Sequence, residues 1–499
     1  MTRAELKANV DTIVVVIMEN RSFDHVLGHL RHSMYGNRRD IDGIEDLANP
    51  DYINPNIDGQ AVAPFWMDDR SFDCDLPHDS GPIASQLRYS AVTGKFAMNG
   101  FVHAFEEQVH TSVSDPPVMG LLTPGSIPAT GALAAQYTVC NRWFACIPTS
   151  TVPNRLMSMC GRTDLGETGI VVPDQQTVYD WLLERGVSWR VYAAGLPFFT
   201  LMPRLSLHLL RPHFRRLDQL KKDLEKEPAT DWPNVIFIEP DYYDCPLHFR
   251  PPCDNHPPLG MAPGEAFLAE VYTVLSGDER RWSRTVFILT YDEHGGFFDH
   301  VPPLPVKYRN LQKAISFDST GPRVPAIVAG PFAPRGVSNA FLDNTSILQL
   351  IAERFGKAGE TYSAEVAGRM QQKIESVSAV LSLAARNLKP CDLSAVISHS
   401  IGGPAPSATV ASRLREGFDR AVTDFVVKHR AEAFAKYPEL RRYGDVSVSP
   451  RALTESVAAP PAAAKVSAPV PKKGRPSAPK KRGARKRRRA PTIRRPKGK

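Results

Sequence analysis

The chain has 499 residues, 42% hydrophobic and 23% charged, which is enough for a large core beneath a water-exposed surface. No run approaches the roughly 20 apolar residues of a membrane helix, and seven scattered cysteines without a C-x-x-C pair argue against a disulfide framework. The net charge of +8 is a sum of opposites: residues 465–499 carry sixteen Lys or Arg and no acid, which leaves −8 on residues 1–464.

The first apolar run follows Asp11. It is short and lacks a small-residue cleavage site, so no signal peptide is read there and a cytoplasmic location is the default expectation, with unconventional export left open. Residues 13–18 are continuously apolar, as in a strand buried on both faces of a parallel sheet. The run stops at Glu19-Asn20-Arg21-Ser22-Phe23-Asp24. Open α/β sheets gather ligands outside the carboxyl ends of their strands, so Glu19 and Asn20 stand where hard oxygen donors would be placed. Residues 21–75 are polar and read as long loops over that site. Pro77-His78-Asp79 leads into a helix through Ile83, Leu87 and Val92, and a strand is predicted over 138–144.

Next comes Thr149-Ser150-Thr151-Val152-Pro153-Asn154-Arg155. Pro153 suits the first turn of a helix, where its missing N–H costs nothing, and the helix should end near Gly161. Thr151 then lies at the helix N-terminus, where free N–H groups and the dipole favour negative charge. It is either a hydroxyl nucleophile or simply the N-cap. A helix over 177–184, a strand over 189–192 and a basic, loosely helical stretch over 204–224 follow. The buried strand 234–238 ends in Glu239-Pro240-Asp241, and Asp254-Asn255-His256-Pro257-Pro258 occupies a loop. After a helix over 265–275, a second apolar run, 285–291, ends in Asp292-Glu293-His294-Gly295-Gly296. Two strand ends that offer Glu, Asn, Asp and Glu make an oxygen-rich site for one divalent metal ion of unspecified identity.

A strand over 324–329 and a helix over 344–355 complete the alternation. It predicts an α/β fold with a doubly wound, mostly parallel sheet sandwiched by helices. Residues 412–436 form a charged helix with Leu414, Phe418, Ala421, Phe425 and Val426 on one stripe. From about residue 446 the chain is too rich in Ala, Pro, Lys and Arg to bury a core. Three parts are expected: a catalytic domain over 1–400, a helical segment over 401–445 and a disordered basic tail over 446–499.

The Glu19–Asp24 motif, Thr151-Val152-Pro153-Asn154-Arg155, Asp254-Asn255-His256-Pro257-Pro258, the 291–303 stretch around Asp292-Glu293-His294-Gly295-Gly296 and the 321–336 segment together resemble the bacterial phosphoesterase family. That family holds the non-zinc phospholipases C and a related acid phosphatase. The resemblance covers about residues 10–356 and implies an alkaline-phosphatase-like fold that hydrolyses phosphate esters through a covalent phospho-enzyme. It implies Thr151 as nucleophile, and Glu19, Asn20, Asp292 and Glu293 as metal ligands with the Thr151 oxygen completing the set. His256 and His78 would be substrate-side histidines that protonate the leaving group or bind phosphoryl oxygens, beside Asn154 and Arg155. A further histidine of the family falls on His208, His213 or His248. The substrate is expected to be a phosphate ester, a phospholipid for the phospholipase C reading or a phosphomonoester for the phosphatase reading.

The tail repeats basic clusters: Lys472-Lys473, Lys480-Lys481-Arg482 and Arg485-Lys486-Arg487-Arg488-Arg489. Such clusters bind DNA, RNA or an anionic membrane through phosphates, without sequence preference. The rival expectation is therefore a nucleic-acid or anionic-surface binder with a catalytically silent body.

Overall fold

A single strand carries the sheet. The continuous apolar run after Asp11 becomes β1 (Thr12–Met18), and all seven of its residues are buried. In the computed structural model, which describes residues 1–202, 208–308, 318–385, 389–399 and 412–444, β1 lies inside an eight-stranded sheet. The other strands are β2 (Thr138–Cys140), β3 (Trp189–Ala193), β4 (Phe214–Arg216), β5 (Val235–Glu239), β6 (Thr285–Tyr291), β7 (Ala326–Ala329) and β8 (Gly336–Ser338). Their order is β4-β3-β5-β1-β6-β7-β2-β8. The four pairings from β4 to β6 are parallel, as is β2 with β8; β7 runs antiparallel to both of its neighbours. The sheet is thus mostly parallel. A strand flanked on both edges and covered on both faces must be apolar throughout, which is why β1 and β6 show no alternation.

Helices cover the sheet. α1 (Ser80–Leu87), α2 (Thr151–Cys160), α3 (Val178–Glu184), α4 (Ala262–Ser276) and α5 (Thr345–Phe355) fall close to their predicted positions. α1 stops a turn and more before Val92, because Arg88 adopts a left-handed conformation (φ 45°) and the chain turns into a small hairpin; Val92 is 97% exposed. The predicted strand over 138–144 is split. At Asn141 the side chain bonds the Asp40 carbonyl and Asn339, and Trp143–Phe144 then pairs with Leu342–Asp343 instead of continuing β2.

Residues 21–75, expected as loops, are more ordered than that and form one layer with the residues up to 125. They include a short helix at Phe23–Leu27 and a parallel pair of Phe65–Met67 with Gly120–Leu122. Their own apolar cluster packs Ile44, Ile83, Phe101 and Val118 against Phe297 and Phe298. Burial of those aromatics holds this layer over the strand ends. A buried clasp pins it further: Arg323 bonds Asp299 at 2.8 Å and Asp24 at 3.0 Å, and His300 bonds Asp24 at 2.6 Å.

Met1–Val446 forms one compact unit. Within it α6 (Arg413–Lys436) buries Leu414, Phe418, Val422, Phe425 and Val426. Phe418 packs against Phe198 and Tyr242 at ring distances of 6.3 and 6.1 Å. No described helix is long and apolar enough to cross a membrane. The basic tail, including all ten of the Lys and Arg singled out in it, lies outside the described residues.

Candidate active site

Register brings the two acidic strand ends together. Met18 lies opposite Tyr291 in the β1–β6 pairing, so Glu19 and Asp292 leave the sheet side by side. Both are fully buried, as are Asn20 and Glu293. Asn20 sits at φ 60°, a left-handed geometry that Asn tolerates better than most residues, and its N–H donates to Asp292 Oδ1 at 3.3 Å. Gly295 makes this crossing feasible: at φ 63°, a Cβ there would fall 2.0 Å from the Asn20 carbonyl oxygen.

α2 delivers the hydroxyl. Ser150, not Thr151, holds the cap position, and Thr151 is the first helical residue. The Ser150 side chain instead accepts from the Thr168 N–H and hydroxyl. Thr151 is therefore free of a capping duty, and its Oγ1 donates to Asn20 Oδ1 at 3.4 Å. The dipole of a ten-residue helix favours negative charge at that oxygen.

Asn154 and Arg155 differ from their expected contact with substrate. The Asn154 amide is occupied by backbone: it donates to Ile147, Thr149 and Ser150 carbonyls and accepts from the Ile147 N–H. It shapes the turn before Thr151. Arg155 is buried behind the acids, bonding Glu19 Oε1 at 3.0 Å, Asp292 Oδ2 at 3.1 Å and the Met18 carbonyl. The rings of Phe198 and Tyr242 lie 5.6 and 5.4 Å from its guanidinium carbon. The same helix thus presents its nucleophile candidate at residue 151 and the counter-charge of the acids one turn later.

Arg155 does not satisfy the whole acidic set. Glu19 Oε2 and Glu293 Oε1 are buried and have no hydrogen-bond partner among the described residues. Burial pushes the Glu19 carboxyl well up and the Asp292 carboxyl up to about 6, against the pull of Arg155. Buried carboxylate oxygens left without partners are costly, and a cation among them would satisfy them in place of the protons that burial favours on Glu19 and Asp292. Hard, all-oxygen donors suit a divalent ion of the magnesium, calcium or manganese kind. These residues fit such an ion.

His78 and His256 face each other at a ring distance of 5.8 Å. His78 Nδ1 bonds the Leu76 carbonyl at 2.7 Å, and its Nε2 stands 3.9 Å from Glu293 Oε1. His256 Nδ1 bonds the Pro257 carbonyl, and its Nε2 stands 3.7 Å from Asp244. Burial works against the charged form of His78, yet Asp75 and Glu293 outweigh it and hold the imidazole at about 10. His256 is likewise raised, by Asp75, Asp244 and Asp254 against burial. Sequence reasoning missed Asp75 and Asp244; the only signal for Asp244 was the run of acids after β5. His213 stacks on Trp189 at the sheet edge and His248 bonds Asp241, so neither joins this pair. A second acid–histidine group, Asp24, Asp299 and His300, offers no cation room because the Arg323 guanidinium fills it.

A hydroxyl at a helix N-terminus beside hard oxygen donors, near two histidines whose charged forms the surrounding acids favour, is equipment for an oxyanion; the class is an α/β protein with such a site at its strand ends. The chain belongs to the Phosphoesterase family, whose family model matches residues 10–357. It is 35% identical over 352 residues to non-specific phospholipase C1 of Arabidopsis thaliana, covering 66% of this chain and 62% of that one. It is 28% identical over 401 residues to phospholipase C A of Mycobacterium tuberculosis, covering 70% and 73%. A crystal structure of an alkaline phosphatase superfamily protein from Vibrio parahaemolyticus overlaps 55% of this chain and 66% of its own at 12% identity with a TM-score of 0.30, too little to carry the assignment. The chain spans less than two thirds of the length of the plant relatives it matches.

Proposed function

We propose that this protein is a metal-dependent phosphoric ester hydrolase of phospholipase C type, acting through a covalent phosphothreonine on Thr151. The observation that carries the reading is the placement of the Thr151 hydroxyl at a helix N-terminus, 3.4 Å from Asn20 and beside buried carboxylate oxygens that lack partners. The names of the relatives, phospholipases C of plants and bacteria, support a phosphate diester as substrate.

One divalent ion, held by Glu19, Asn20, Asp292, Glu293 and the Thr151 oxygen, would favour the alkoxide and offset phosphoryl charge. Thr151 Oγ1 gives up its proton to solvent water and forms a bond to phosphorus. The bond from phosphorus to the leaving alcohol breaks, and that oxygen takes a proton from His256 Nε2. His78, held cationic between Asp75 and Glu293, meets the phosphoryl oxygens. Water then attacks the phosphothreonine and gives its proton to His256; the bond from phosphorus to Thr151 Oγ1 breaks, and that oxygen takes back a proton from solvent. Arg155 touches none of the reacting atoms; it holds Glu19 and Asp292 in place.

The test compares the wild-type chain with Thr151→Ala, each with and without a chelator, on a chromogenic phosphocholine diester and the matching monoester. Diester turnover lost in both Thr151→Ala and chelated protein supports the reading. Turnover of the monoester alone moves it to a phosphatase. Activity that survives Thr151→Ala removes the covalent mechanism.

A further inference from the structure

The family match ends at residue 357, yet the first turn of α6, more than fifty residues later, reaches the active site. Ser412 caps this helix: its Oγ accepts from the Arg415 N–H at 3.0 Å. The same hydroxyl donates to Asp244 Oδ1 at 2.5 Å. The other oxygen of Asp244 faces His256 Nε2 at 3.7 Å. Asp244 and His256 are both almost fully buried.

The loop that carries them is built to oppose the two. Asp254 accepts from the Tyr243 N–H at 2.6 Å with one oxygen and from the His256 N–H at 3.2 Å with the other, tying both ends of the loop to one side chain. The Tyr243 ring stacks on His256 at 5.9 Å and 19°. With Nδ1 committed to the Pro257 carbonyl, only Nε2 is left to point at a leaving group. Asp75, Asp244 and Asp254 are the acids around that imidazole, and His78 is the cation opposite it. A carboxylate near Nε2 keeps the ring charged and turned, and at 3.7 Å it does not use up the N–H.

A second thread runs from the same turn to the other histidine. Arg413 lies 3.8 Å from Glu167, and Glu167 accepts from Ser80 at 2.6 Å, two residues beyond His78. Phe418, one turn further along α6, seats the Tyr242 and Phe198 rings that stand against Arg155.

We propose that Asp244 is a positioning residue for His256 as leaving-group acid, and that Ser412, at the cap of a helix outside the family match, fixes Asp244 in that role. The proposal rests on the hydrolase reading. A positioning role of this kind should show in departure of the leaving group. When the P–O bond breaks, an alkoxide needs the His256 proton and a nitrophenolate does not.

The experiment uses the full chain with added divalent metal. It measures kcat on a p-nitrophenyl and an alkyl phosphodiester for wild type, Asp244→Asn, Ser412→Ala and Ser412→Thr. The alkyl ester is expected to lose at least tenfold more kcat than the p-nitrophenyl ester in Asp244→Asn. Ser412→Ala should show a smaller loss of the same sense, and Ser412→Thr, which keeps both cap and donor, should recover it. Equal losses on the two esters, or a Ser412→Ala that behaves as wild type, overturn the proposal. A wild-type chain that cleaves neither ester instead refutes the hydrolase reading. In that event histidine-labelled NMR decides the pairing: Ser412→Ala must shift the His256 resonance, and an unmoved resonance overturns it.

Discussion

At the scale of single residues, the site is an arrangement of charges that do not balance among themselves. Arg155 carries one positive charge against Glu19 and Asp292, and each of these carboxylates is completely buried. Arg155→Met keeps much of the stem but leaves both acids without their cation. Breaking a buried pair by removing one partner costs about 3–5 kcal/mol. The variant is expected to lose stability of that order in urea unfolding, and to recover part of it when a divalent ion is added. Thr151 is the opposite case. Thr151→Ala removes one hydroxyl bonded at 3.4 Å and leaves the helix intact. Stability should stay within about 1 kcal/mol of wild type, while phosphodiester turnover falls by about 10³-fold or more. Thr151→Ser, which keeps the oxygen, should retain measurable turnover. Stopped assays and thermal melts on the same preparations separate the two effects.

Between elements, polar groups tie helices together where apolar packing alone would not set their angle. Glu265 of α4 accepts the Ala129 and Thr130 N–H groups and the Thr130 hydroxyl from the helix Pro128–Gln136. Burial nevertheless dominates and lifts its carboxyl from 4.5 to about 7. A carboxyl raised in the folded state favours folding in its protonated form. Its contribution is therefore complete below pH 4.5 and lost as pH rises through 7. Glu265→Gln is uncharged throughout this window. Its unfolding free energy should lose a pH dependence of about 3 kcal/mol between pH 4.5 and 8, read from urea midpoints at the two ends. α6 acts on the same scale through Phe418. Phe418→Ala opens a cavity against Phe198 and Tyr242, with an expected cost of about 3–5 kcal/mol, and it loosens the wall behind Arg155.

For the molecule as a whole, charge is segregated: −8 over residues 1–464 and sixteen Lys or Arg beyond them. Deleting 460–499 is expected to leave turnover of small esters intact and to abolish salt-sensitive binding to anionic vesicles or nucleic acid. Loss of turnover on deletion would end that division of labour. A cation that binds only the folded acidic site stabilises the whole chain by mass action, by about 2.7 kcal/mol at a hundred times its dissociation constant. The melting temperature should therefore rise with divalent ion and fall with chelator, even in Thr151→Ala, where activity gives no signal.

Much of this molecule was legible before folding, for local reasons. A strand buried on both faces must be apolar at every position, so β1 and β6 stand out as uninterrupted runs, and their sudden acidic ends mark the sheet edge where ligands gather. Pro153 and Gly161 bracket α2, because one tolerates the first helical turn and the other a left-handed C-cap. Other features were open until the chain closed on itself. Whether Thr151 capped its helix turned on Thr168 taking up Ser150. Arg155 and Asn154 look like substrate contacts in sequence, and only packing turned them inward onto carboxylates and backbone. Asp75 stands three residues before His78, and Asp244 twelve residues before His256, both in loops with no period to mark them. The α6 cap lies 168 positions from the carboxylate that it holds. Backbone propensity and hydrophobic period act over a few residues, so sequence determined the central strands, the ends of α2 and the acids at the sheet edge, but not where the helix after His78 stops or that the 138–144 strand divides. Which buried charge meets which is set by contacts across the whole chain, and only the tertiary structure decided it.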